Sequence, residues 1–121
     1  MGAPISMREA TAVVLLGRIA QHCTMTQQAA VDIDSHLTRV PPGKRPAYLK
    51  SLGALIECRL LGTEGNNLFV SQYGQVLLEF GDQSVPKRAS PLTEEERQKA
   101  LATIRRLLNQ DGRLDPHHID G

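Results

Sequence analysis

Apolar positions along this chain fall first into helical spacing, then into alternation, then back into helical spacing. Ala12, Leu15, Leu16, Ile19 and Cys23 recur at three- and four-residue intervals, the spacing that lines one side of a helix. Ser6-Met7-Arg8-Glu9 just before them is a capping box, in which Ser6 accepts from the Glu9 N–H and Glu9 reaches back. A first helix is therefore expected from Met7 to His22. Thr24 followed by Gln27 repeats the start signal, and Ala30, Ile33 and Leu37 give a second helix a narrow stripe, with Asp32 and Asp34 off it. Val40-Pro41-Pro42-Gly43-Lys44-Arg45-Pro46 breaks that helix, because a residue before proline is pushed towards extended backbone. Pro46 suits the first position of a third helix, and Gly53 suits its stop. That helix is predicted to be short, Pro46 to Leu52, with Leu49 and Leu52 inward. Ala47, Lys50 and Ser51 then face outward, with Tyr48 at the margin.

Leu55 to Leu60 alternates, Glu57 and Arg59 between Ile56, Cys58 and Leu60, which predicts a strand. Gly62-Thr63-Glu64-Gly65-Asn66-Asn67 is a turn cluster, and Leu68 to Tyr73 reads as the returning strand of a hairpin. After Gly74 the period changes, and Val76, Leu77, Leu78 and Phe80 read as a short helix. Tyr48, Phe69, Tyr73 and Phe80 all fall in this stretch, which is expected to hold the best-packed core. Residues 81–91 read as a hinge. Thr93 to Glu96 is a further capping box, with acids where the helix dipole favours them, and it opens a fifth helix running to Asn109. Its apolar face is Leu101, Ile104, Leu107 and Leu108. The expected organisation is one domain over 1–82, a linker at 83–92, a C-terminal helix at 93–110 and a disordered polar tail at 111–121.

Composition narrows the picture. A chain of 121 residues, 40% apolar and 22% charged, suits a single globular domain. Its longest apolar run, Ala12 to Leu16, is far too short to span a bilayer. Two cysteines are too few for a disulfide scaffold and no secretory signal is visible, so a cytoplasmic setting is expected. MGAPIS also fits the loose N-myristoylation pattern, but a capping box accounts for both Ser6 and Glu9.

Helix, helix, short helix, hairpin, helix is the order of a winged helix-turn-helix. Leu49-Lys50-Ser51-Leu52-Gly53-Ala54-Leu55-Ile56-Glu57 resembles the end of a recognition helix passing through glycine into a "GLIE" wing start. Val70-Ser71-Gln72-Tyr73-Gly74-Gln75-Val76-Leu77-Leu78 is similar to the "LT-x-x-G-x-x-LL" exit of MarR-like and PadR-like regulators. The resemblance covers residues 7–80 and implies an α+β, mostly α fold: three helices and a two-stranded wing, plus a C-terminal helix. It also implies transcriptional regulation by binding duplex DNA, as a homodimer. Two departures stand out, Ala54 inserted after Gly53, and Pro-Pro-Gly-Lys-Arg-Pro where a recognition helix would gain its first turn. A short recognition helix brings fewer side chains to the major groove.

Charge adds a local signal to a chain whose net charge is only +1. Between Arg39 and Arg59, five cations (Arg39, Lys44, Arg45, Lys50, Arg59) face one acid, Glu57, a local net of +4. Such clustering is the footprint of phosphate contacts. Lys44, Arg45 and Lys50 are expected to anchor phosphates, Arg39 and Arg59 to flank the backbone, and Ser51 and Tyr48 to approach base edges. The turn carries Glu64 and no cation, leaving Asn66 and Asn67 for phosphates or sugars. Leu101, Ile104, Leu107 and Leu108 are expected to pair with a second copy, or else to fold back on the first helix. The competing reading is a winged helix that binds a regulatory or scaffold protein and no DNA, and an apolar patch on the third helix would distinguish it. His22, Cys23, His36 and Cys58 match no compact zinc spacing, and His117-His118 with Asp115 and Asp120 reads as a solvated tail. No P-loop, dinucleotide fingerprint, nucleophile elbow or paired-carboxylate signature is present, so neither catalysis, a cofactor, a metal nor a membrane is expected.

Overall fold

The structure, a computed structural model, describes residues 7–81, 92–110 and Leu114. In order it comprises α1 (Met7–Thr26), β1 (Val31–Asp32), α2 (Ile33–Leu37), a 3-10 turn (Pro42–Lys44), α3 (Arg45–Glu57), β2 (Leu61–Glu64), β3 (Asn67–Val70), α4 (Gln72–Gly81) and α5 (Glu94–Gln110). The fold is α+β and mostly helical, with one antiparallel sheet in the order β1-β3-β2. Val31 pairs with Leu68 on one edge of β3, and Leu61 with Val70 on the other. None of the described helices is long and apolar enough to cross a membrane.

The first helix runs on past His22 to Thr26. Thr24 and Thr26 turn their hydroxyls back to the Ala20 and His22 carbonyls at 3.0 and 2.9 Å, extending α1 rather than capping a new helix. Gln27, at φ 55, then closes it with paired bonds, Gln28 N–H to Cys23 O and Gln27 N–H to Thr24 O. This is the Schellman ending, here with glutamine in the left-handed position usually given to glycine. The chain consequently reaches Val31 extended. The expected second helix is replaced by β1 and the five residues of α2, whose start Asp32 caps by accepting from Ser35 N–H at 3.1 Å.

The third helix is also longer than predicted. It continues through Gly53 to Glu57, so Leu55 to Glu57 are helical and the strand begins only at Leu61. Its end repeats the Schellman pattern, Leu60 N–H to Leu55 O at 2.9 Å and Arg59 N–H to Ile56 O at 3.0 Å, with Arg59 at φ 64. Leu55 and Leu60, the hydrophobic pair that accompanies this motif, are fully buried. With a full-length helix the buried stripe becomes Tyr48, Ser51, Leu52 and Leu55, and Leu49 turns outward.

Ala12, Leu15, Leu16 and Ile19 of α1 meet Leu52 and Leu55 of α3, Leu68 of β3 and Leu77 of α4 in one core. The aromatics divide: Tyr48 is buried, Phe69 and Phe80 are half-buried and Tyr73 is exposed. The fifth helix begins with the predicted capping box, Glu96 N–H to Thr93 Oγ1 at 3.2 Å and Thr93 N–H to Glu96 Oε1 at 3.3 Å. It packs on α1 and α4. Arg8 donates to the Leu108 and Asn109 carbonyls at 2.9 Å each, and Arg105 Nε donates to Glu9 Oε2 at 3.1 Å. Arg97 Nε lies 3.7 Å from Glu79 Oε2. Ser6 of the first capping box, most of the expected linker and all of the expected tail except the buried Leu114 lie outside the described residues.

Candidate functional site

Helix α3 presents Pro46, Leu49, Lys50, Gly53 and Glu57 along one outward face, the three-to-four-residue spacing of a single helical side. Pro41, Pro42 and Gly43 stand exposed ahead of it. Leu49 keeps 43% of its surface exposed at the centre of this face. Gly53 faces open space: an added Cβ would meet nothing within 4 Å, so no packing constraint holds that position to glycine.

The expected DNA residues separate into three groups. Tyr48 and Ser51, assigned to base edges, are 1% and 2% exposed and point into the core. Arg45 is engaged in structure, its Nε donating to the Leu37 and Val40 carbonyls at 3.0 Å each and fastening the end of α2 to the start of α3. Asn66 is engaged too, its amide donating to Asp32 Oδ1 at 2.9 Å and Asp34 Oδ2 at 3.0 Å. Lys44 and Lys50 lie at the first turns of α3, and Arg39 precedes them with its guanidinium donating to Met25 Sδ at 3.6 Å. Arg59 lies beyond the other end, about 20 Å along a 13-residue helix.

The hairpin is short, with four-residue strands. Its turn is only Gly65-Asn66, Asn67 at the start of β3 already pairs with Asp32, and the Asn66 carbonyl accepts from Ile33 N–H at 2.8 Å. The tip is thus tied to the start of α2, where Asp32 and Asp34 share the Asn66 amide, and the exposed Glu64 stands across the hairpin opposite Asn67. The Asn66 amide, and then the Ser35 N–H, hold the Asp32 carboxyl below its ordinary range, so it is ionised at neutral pH. A phosphate approaching this corner meets acids.

Sequence reasoning missed a buried polar chain behind α3. His22 Nδ1 of α1 lies 3.1 Å from His36 Nδ1 of α2, and His36 Nε2 lies 2.8 Å from the Tyr48 hydroxyl of α3. The two imidazoles stack with centroids 5.4 Å apart. Burial pushes the Tyr48 hydroxyl up to about 12 and, with His22, Arg39 and Arg18 adding to it, takes His36 down to about 4. His22 is lowered by burial and then by Arg39. The available signal was His22 falling one turn beyond Leu15 and Ile19 on the apolar stripe of α1. Among the described residues no group of three or more His, Cys, Asp or Glu is placed to hold a metal. Cys58 is buried, and burial raises the half-exposed Cys23 thiol.

Leu101, Ile104 and Leu108, the face expected to meet a second copy, are 3%, 0% and 0% exposed within one chain, and Leu107 is half-buried. They are covered by their own α1 and α4, the fold-back arrangement. Compared with known protein families, curated proteins and solved structures, the chain gives no match.

Proposed function

We propose that this chain is a winged helix-turn-helix module that docks on a partner protein through the outward face of α3. The topology supports the first half of this reading. A short strand between α1 and α2 pairs with the second hairpin strand, and α2, a turn and α3 precede the hairpin, which is the element order of that fold. The observation that carries the second half is the composition of the α3 face. Leu49 lies at its centre beside Pro46 and Gly53, while Tyr48 and Ser51, the side chains suited to base edges, are turned inward. A single exposed leucine is ordinary on a protein surface. At the centre of the one helix this fold offers to its target, it suits an apolar partner surface better than a hydrated groove. The short, acidic hairpin supports the same choice.

Arg39, Lys44 and Lys50 favour a second reading, in which the α3 flank grips duplex DNA by its phosphates without reading sequence. The two readings separate in a fluorescence anisotropy titration of random-sequence duplex at two salt concentrations, with Lys44→Glu/Lys50→Glu alongside. The protein-docking reading predicts no binding that depends on those lysines. Binding that weakens with salt and is lost in the double variant would replace it with the DNA reading.

A further inference from the structure

We propose that His22, His36 and Tyr48 form an acid-sensitive brace, in which a proton taken up at the histidine pair reverses the hydrogen-bond chain to Tyr48 and frees α3 from α1 and α2. The three side chains come from three different helices, and their hydrogen bonds run in series from α1 through α2 to α3. All three are 5% exposed or less.

Proton placement makes the chain directional. In the neutral state the Tyr48 hydroxyl donates to His36 Nε2, His36 Nδ1–H donates to His22 Nδ1, and His22 carries its proton on Nε2. This arrangement uses both nitrogens of His36 and gives the Tyr48 hydrogen its acceptor. The opposite tautomer of His36 would leave that hydrogen without one, since His36 is the hydroxyl's hydrogen-bond partner among the described residues. One proton from solvent then reverses the chain. His22 Nδ1 takes it and becomes a donor, so His36 must present a bare Nδ1 and carry its own proton on Nε2 instead. That Nε2–H now points at the Tyr48 oxygen, and the hydroxyl hydrogen is turned away into the core. The net change is one proton gained, one positive charge on the pair, and one buried donor left unsatisfied. A second proton is excluded from the closed state, because it would set two N–H groups against each other at 3.1 Å.

The charged groups that act on the pair oppose a further positive charge: Arg18 from α1 and Arg39, which follows α2, are both cations, and Tyr48 from α3 is neutral. Among the described residues, no carboxylate acts on either histidine. Relief comes by opening. Because both histidines are held below their ordinary value in the closed fold, the unfolded or opened form binds protons more readily. The closed form is therefore fully stable above about pH 6.5 and is progressively lost as pH falls from there towards about 4. The brace is independent of what α3 docks on.

The test uses the full chain. Ring-nitrogen NMR shifts of His22 and His36 are followed from pH 7.5 down to 4.5, and amide exchange, corrected for intrinsic rates, is compared between pH 7 and pH 5. The expected result is that His22 titrates below 6.5 and His36 towards about 4, while protection in α3 falls by about tenfold or more at pH 5 and protection in α4 and α5 does not. In His22→Gln that selective fall shrinks, because one of the two protonation sites is gone; should this variant not fold, His36→Gln is read in the same way. Histidines that titrate independently near 6.5, a fall shared equally by all helices, or a fall undiminished in the variants would each overturn the brace.

Discussion

Gly74 has a packing reason that a motif alone does not convey. A Cβ at this position would run into the Leu60 carbonyl oxygen, which is backbone and cannot swing aside, and would come within 2.8 Å of Val70 Cγ1. The Gly74 N–H is meanwhile bound by Ser71 Oγ at 3.1 Å, and the Ser71 hydroxyl donates to the Arg59 carbonyl. One glycine and one serine thus join the end of α3 to the start of α4. Gly74→Ala should cost about 2–3 kcal/mol, the scale of overpacking against rigid surroundings. Urea denaturation at unchanged m-value measures it, and a loss below about 0.5 kcal/mol would contradict the close approach. Arg59 is the converse case. Its left-handed backbone stores strain of about 1 kcal/mol that glycine would not carry. Arg59→Gly should therefore raise stability by about that much despite removing a side chain, and a destabilised variant would show that the side chain matters more than the backbone.

At the scale of elements, much was legible in the residues and the misses have physical causes. The Thr93–Glu96 box located α5 because its two reciprocal hydrogen bonds need those residue types three apart. The apolar run of α4 was equally plain, but the turn is only Gly65-Asn66, the returning strand expected over Leu68 to Tyr73 is Asn67–Val70, and α4 starts already at Gln72. What stayed hidden was where α1 and α3 end, because both close through a left-handed residue that is not glycine, Gln27 in one case and Arg59 in the other. Without that punctuation, Ile56, Cys58 and Leu60 imitate the alternation of a strand, and Gly53, which is only a helix-interior residue, imitates a stop. Cutting α3 at Gly53 also misplaced the site. A seven-residue helix offers Leu49 and Leu52 as its buried side; the full helix buries Tyr48, Ser51, Leu52 and Leu55 and leaves Leu49 out. Of the cations grouped in sequence, Arg59 lies beyond the far end of α3 and Arg45 is engaged by backbone carbonyls that no local pattern announces. The two-residue β1 is too short to leave a periodic signal at all.

For the whole molecule, α5 decides how much of the surface remains for partners. Glu9 and Arg105 tie it to α1, Arg8 caps its last turn, and its leucines complete the core. A chain arranged this way needs no second copy to cover α5, and light scattering should return the single-chain mass of 13.3 kDa. A two-chain mass that Leu107→Glu abolishes would return the helix to an interface. With α5 packed on α1 and α4 and the hairpin tip tied to α2, the outward face of α3 is the proposed docking surface. The most direct test places the photo-crosslinking residue p-benzoylphenylalanine at Leu49, with Ala102 on the exposed side of α5 as the control position, in cells that make the full chain. The expected result is a discrete adduct from position 49 that protease destroys and nuclease does not, with none from position 102. A nuclease-sensitive adduct at 49, or adducts from 102 alone, would contradict it.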